Sequence, residues 1–196
     1  MNLNAYSPEI IIGSCAVILL IMIAIVWAVA RQRARRRTAE LRSRFGPEYD
    51  YAVREYGSRG KAETALTTRV RRIEGLELRP LSATERSRYL SEWDTIQARF
   101  IDHPRGAVTE ADEMINSLLQ ARGYPGGRSE QRAADISVHH SRLADPYRRA
   151  NGIVVKAGKN EATTEELRTG MILFRALFEE LLQAKTVAMP QRAKAA

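Results

Sequence analysis

Three histidines and a set of paired carboxylates are the side chains of this sequence best suited to chemistry. A helix through 135–139 would set Asp135 and His139 one turn apart, a spacing that metal ligands often use, with His140 next to them. Two neighbouring ligands do not close a site. The sequence has no HExxH, and the adjacent His139 and His140 leave a helix in different directions. Ser137, His139 and Asp135 form a Ser-His-acid set on paper, but no GxSxG elbow supports it. His103 precedes Pro104, so it or Asp102 is expected to cap a helix. Asp112-Glu113, Glu165-Glu166 and Glu179-Glu180 fit solvent faces or the favourable end of a helix dipole. No catalytic residue, cofactor-binding residue or metal ligand is therefore assigned. Asp135, His139 and His140 stand as weak metal candidates, and the chain is not expected to be an enzyme.

The elements that must position these groups begin with an apolar stretch. Ile10 to Ala30 is 21 residues without a charge, about 31 Å of helix against a hydrocarbon core of about 30 Å. Trp27 and Tyr6 fall where interfacial rings are expected. A cleaved signal peptide fits poorly, because residues 1–9 contain Glu9 and no Lys or Arg. Ile12-Gly13-Ser14-Cys15 resembles a lipobox only superficially, and Cys15 reads as a small residue within the span. As the lone cysteine, it excludes an internal disulfide framework and a cysteine zinc cluster. Arg31, Arg33, Arg35, Arg36 and Arg37 follow the apolar stretch directly and are the expected membrane-surface residues. By the positive-inside rule they predict an amino terminus outside a bacterial inner membrane and a cytoplasmic soluble part.

The 196 residues carry 31 Lys and Arg against 23 Asp and Glu. Residues 31–44 hold seven Arg and one Glu, whereas residues 45–184 hold 21 basic and 21 acidic residues. The surplus thus lies beside the span and in the tail, not in the folded part. Nucleic-acid binding, which needs a one-signed surface, is excluded on that ground. No small-molecule ligand is indicated, and no Gly-rich stretch has a phosphate-binding pattern.

The rest reads as all-α. The expected organisation is a short outer segment at 1–9, a membrane helix at 10–30, an Arg-rich extension at 31–44, a helical arm and linker at 45–81, a bundle at 82–184 and a disordered basic tail at 185–196. A soluble bundle of about four to six helices is expected after the span. Gly46-Pro47 should stop the first helix and start a short one with Phe45, Tyr49, Val53 and Tyr56 on its core face. Ala62, Leu66, Val70 and Ile73 share a face of the next, which with its neighbour either docks on the bundle or projects as an arm. Ser82–Glu85 and Thr163–Glu166 read as capping boxes. Inward stripes are expected at Tyr89, Trp93, Ile96 and Phe100, at Val108, Ala111, Ile115 and Leu118, and at Leu167, Met171, Phe174, Phe178 and Leu181. A short helix is expected within 129–140. Another, around 145–156, should start at Asp145-Pro146 and turn Tyr147, Ala150, Val154 and Val155 inward.

The words RFGPEYDYAVREYGSR, ELRPLS, ARFIDHP, ARGYP, EQRAADISV and LFEELL, spread over residues 44–182, resemble an uncharacterised bacterial family of small proteins with one membrane span near the start. The resemblance implies a bacterial source and a membrane anchor, and it supplies no activity, cofactor or site residue. Relatives read Asp-His-Pro where this chain has His139-His140-Ser141, which makes a metal role for His139 less secure. The functional expectation is a membrane-tethered helical scaffold or adaptor. Its partners would be the lipid bilayer and another protein or itself. A metal-dependent or hydrolytic enzyme at Asp135, His139 and His140, or an envelope or stress-related module outside the cell, is the alternative.

Overall fold

The computed structural model describes residues 8–183, with side chains from Val17 onward. Most of the 1–9 segment, Tyr6 included, and the basic tail at 185–196 lie outside the described residues. All regular structure among them is helical: α1 (Pro8–Phe45), α2 (Pro47–Tyr56), α3 (Arg59–Glu74), α4 (Ala83–Arg99), α5 (Pro104–Ala121), α6 (Ser129–His139), a 3-10 turn (Ser141–Leu143), α7 (Ala144–Gly158) and α8 (Thr164–Gln183). The expected all-α class is what the structure has. The chain divides into two compact units, Met1–Ser43 and Arg44–Ala196.

In the first unit, α1 is long and apolar enough to cross a membrane, and none of its apolar stretch from Val17 onward is buried within the protein. Val17 to Val26 are exposed on every side of the helix. A core helix of a soluble protein would cover one side of such a surface. The guanidinium of Arg31 lies 5.1 Å from the centre of the Trp27 ring, one turn back, which joins the last apolar turn to the first charged one. At about 100° per residue, Arg31 and Arg35 fall on one side and Arg33 and Arg37 on the other, so the arginines surround the helix.

The second unit is built on α5, which packs against α4, α7 and α8; α7 and α8 form its longest interface, and α6 links α7 to α3. The stripes explain the order. Tyr89, Trp93 and Ile96 of α4, Val108, Ala111, Ile115 and Leu118 of α5, and Leu167, Met171, Phe174, Phe178 and Leu181 of α8 are all buried. Trp93 stacks on Phe178 with ring centres 5.1 Å apart, a contact worth about 0.5–1.5 kcal/mol beyond the area it covers. Of the two readings of α2 and α3, docking is the one observed, since α3 packs on α6 and α2 on the 3-10 turn.

Starts and stops follow local chemistry. Ser82 Oγ accepts from Glu85 N at 3.2 Å while Glu85 Oε2 accepts from Ser82 N at 2.9 Å, a complete capping box worth about 1 kcal/mol. Thr163 and Glu166 repeat it at the start of α8. Gly123 has φ +93, and a Cβ there would meet the Glu77 carbonyl oxygen at 2.8 Å. Beside it, Arg79 N donates to Arg122 O at 3.0 Å, pinning the α3–α4 linker to the end of α5.

Some expectations need correction. Phe100 follows the last turn of α4 and is half-buried, so the inward stripe of that helix ends at Ile96. Tyr56 is 37% exposed and Ala52 takes the core position of α2, because Glu48, Tyr49 and Ala52 define its buried face. Val155 is exposed, the inner stripe of α7 being Ala144, Tyr147, Ala150 and Ala157. That helix starts at Ala144 rather than Asp145-Pro146, since the 3-10 turn has already set helical backbone by Leu143. His103 occupies the cap position of α5 but makes no side-chain cap bond.

Candidate functional site

α6 carries the residues that sequence alone singles out, and its packing decides what they can do. Its run from Ala133 to Val138 is buried, so Asp135 lies inside, 2% exposed, facing α3. Asp135 Oδ1 accepts from Gln131 Nε2 at 3.1 Å and pairs with the Arg72 guanidinium, while Oδ2 is buried without a partner. Ser137 is fully buried, and its hydroxyl donates to the Ala134 carbonyl at 2.6 Å. His139 and His140 are half-buried at the end of the helix. His140 Nδ1 lies 3.3 Å from Glu180 Oε1 on α8.

Burial lowers the pKa of both imidazoles. For His139 the neighbouring His140 and Arg44 add to this; for His140 the Glu180 carboxylate opposes it. Both imidazoles are thereby held neutral near pH 7. Asp135 pairs with Arg72 and His140 lies against Glu180, so these two are engaged by different neighbours. Among the described residues no group of three or more His, Cys, Asp and Glu is placed to hold a metal ion. Ser137, hydrogen-bonded to a carbonyl one turn back, is not poised against either histidine.

The strongest electrostatic arrangement lies elsewhere, around Glu48 in the first turn of α2. Its side chain is 1% exposed. Arg148 of α7 grips it with two bonds, Nη1 to Oε2 at 2.8 Å and Nη2 to Oε1 at 2.7 Å. Arg69 of α3 adds Nη1 to Oε1 at 3.0 Å. The Arg148 guanidinium also donates from Nε to Glu130 Oε1 at 2.8 Å and lies 3.9 Å from the centre of the Tyr51 ring. Burial alone would lower the Arg148 pKa, but the bonds to Glu48 and Glu130 outweigh it and raise the value. A second buried pair, Tyr49 Oη donating to Glu63 Oε1 at 2.9 Å, fixes α2 against α3.

Of these residues Arg69 and Glu130 also face an open cleft of about 660 Å³ between α2, α3 and α6, with Arg72, Arg128 and Glu55 on its walls. Three arginines and two glutamates stand on its walls, and Arg69, Arg72 and Glu130 already have internal partners. That arrangement holds helices together and offers no nucleophile beside a base. Sequence reasoning missed Glu48, Arg69 and Arg148. The only available signal was a carboxylate set between aromatic residues at Glu48-Tyr49, and the partner arginine lies 100 residues away.

Comparison of the chain with protein-family models, with curated proteins and with solved structures gives no match.

Proposed function

We propose that this chain is a membrane-tethered helical interaction module, a scaffold or adaptor that holds its second unit at a membrane surface and binds another protein there. The observation that carries this reading is the contrast between the two units. One is a helix whose described apolar surface, from Val17 onward, is uncovered on all sides. The other is a helical bundle in which Glu48, Arg69, Glu130, Asp135 and Arg148 are engaged in internal pairs. An anchor joined to such a bundle suits localisation and binding, and no feature of the bundle favours catalysis.

The Arg31–Arg37 collar supports a single pass with residues 31–196 on the cytoplasmic side of a bacterial inner membrane. Protease digestion of a carboxy-terminal epitope tests the placement: protection in intact spheroplasts and digestion after lysis is the expected result. Digestion in intact spheroplasts reverses the orientation and makes the module extracytoplasmic. The binding reading is tested by crosslinking at native expression and recovery in mild detergent. A partner in fixed ratio to the bait is expected, and repeated recovery of the bait alone removes the reading.

A further inference from the structure

α4 lies at the edge of the bundle, and its outer flank runs beside α8. Between them is a groove of about 420 Å³ whose floor is Trp93, with its back to Phe178, and Met171. Phe100 and Ile172 form its apolar sides, and Arg168 and Arg175 of α8 complete the lining; no acidic residue lines it. Ile172 is 61% exposed, a large apolar side chain that folding leaves in water. Ile101, next in the chain to Phe100, is 82% exposed.

The two arginines are seven residues apart, two helical turns or about 10.5 Å, with Met171 and Ile172 between them. That is the footprint of a short helix laid in a groove: apolar anchors at i and i+3 or i+4, flanked by charges about two turns apart. Arg168 and Arg175 meet Glu165 at 4.0 Å and Glu179 at 2.8 Å on their own helix, both pairs being exposed. Exposed pairs of this kind exchange readily, so both cations are available to an incoming carboxylate.

We infer that the α4–α8 groove is the docking surface of the module, and that its occupant is an acidic amphipathic helix of a partner protein. Two apolar side chains of that helix would enter between Phe100 and Ile172, and Asp or Glu residues about seven apart would face Arg168 and Arg175. This inference rests on the interaction reading above and names its surface and the chemistry of the partner.

The test uses the full chain in nanodiscs and two labelled synthetic helices with identical Leu anchors, one bearing Glu and the other Lys at the flanking positions. Binding is read by anisotropy, with Trp93 emission in a Trp27→Phe background locating the occupant. The Glu peptide is expected to bind roughly tenfold tighter than the Lys peptide and to shift Trp93 emission, since two surface charge pairs change sign. The Arg168→Glu/Arg175→Glu variant is expected to invert that preference, and Ile172→Asp to abolish both. All these positions are exposed, and an unchanged melting curve shows that the variants fold. Equal binding of both peptides, or a preference that survives the charge swap, overturns the inference. So does self-association that Ile172→Asp dissolves, or binding to anionic vesicles that Ile172→Asp removes, each of which gives the groove a different occupant. If the wild type captures a partner in cells and the Ile172→Asp chain captures it equally, the groove assignment fails while the interaction reading stands.

Discussion

Replacing Glu48 by Gln removes the charge at the centre of the α2–α3 attachment while keeping its shape. The wild-type carboxylate accepts three bonds from two guanidiniums, at 2.7, 2.8 and 3.0 Å. The amide keeps one acceptor oxygen and turns two N–H groups toward cations. Breaking a buried pair costs about 3–5 kcal/mol. Arg148 retains Glu130 and Arg69 retains Glu55, so the lower end, about 3 kcal/mol, applies. For a domain of this size the melting temperature should fall by about 6–12 °C. Thermal unfolding of the full chain in detergent, followed by near-ultraviolet dichroism, reads it, since α1 in the micelle adds little to that signal. Glu48→Met with Arg69→Met and Arg148→Met should be less destabilised than Glu48→Gln, because no buried charge is left unpaired. A fall below about 2 °C for Glu48→Gln would show that the network does not hold the hairpin to the bundle.

Gly123→Ala should destabilise by more than about 1 kcal/mol in the same assay, through its positive φ and the close Glu77 carbonyl; a neutral result would mean that the linker shifts freely. His139 and His140 titrate below their ordinary value of 6.5 in the folded chain. Between that lowered value and 6.5 the unfolded chain binds more protons, so stability should fall as pH drops through this window. A His139→Gln/His140→Gln variant should flatten the loss between pH 7.5 and 5, and an unchanged slope would assign it to other groups. Hydrogen bonds from Lys156 and Thr163 hold Glu166 down to about 2, and those from Arg79 and Ser82 hold Glu85 there. Their stabilisation is full above the ordinary carboxylate value of 4.5 and declines as pH falls toward about 2. Glu85→Gln with Glu166→Gln should therefore reduce the acid sensitivity seen by far-ultraviolet dichroism below pH 4.

What could be read ahead of the structure was whatever repeats along one helix. The apolar positions of α4, α5 and α8 recur with the helical period, and both capping boxes are complete within four residues, so local spacing alone carries them. The attachment of α2 and α3 has no such local mark. It depends on Glu48 meeting Arg148 at a separation of 100 residues and on Gly123 fitting against a carbonyl 46 positions earlier. A period also marks only one edge of a face. Tyr56 and Val155 sit near the inner stripes of their helices, yet both lie outside the core, because Ala52 and Ala157 let neighbouring helices approach more closely.

Asp135, His139 and Ser137 show why chemically suggestive spacing on one short helix is a poor guide to a site. A buried helix end needs polar groups to satisfy its own backbone and to pair with its neighbours, and Asp, Ser and His are the residues that do so in a small volume. Ser137 closes on the Ala134 carbonyl and Asp135 takes the Arg72 guanidinium, so both contacts lead inward to the fold. A catalytic or ligand-holding group must instead face an open space together with its partners. By that criterion the open α4–α8 groove is a better candidate for a site than this helix end. Ile172 in the α4–α8 groove is uncovered where folding alone would favour a polar side chain. Ile172→Asp separates the two demands: it should end association while leaving the melting curve unchanged.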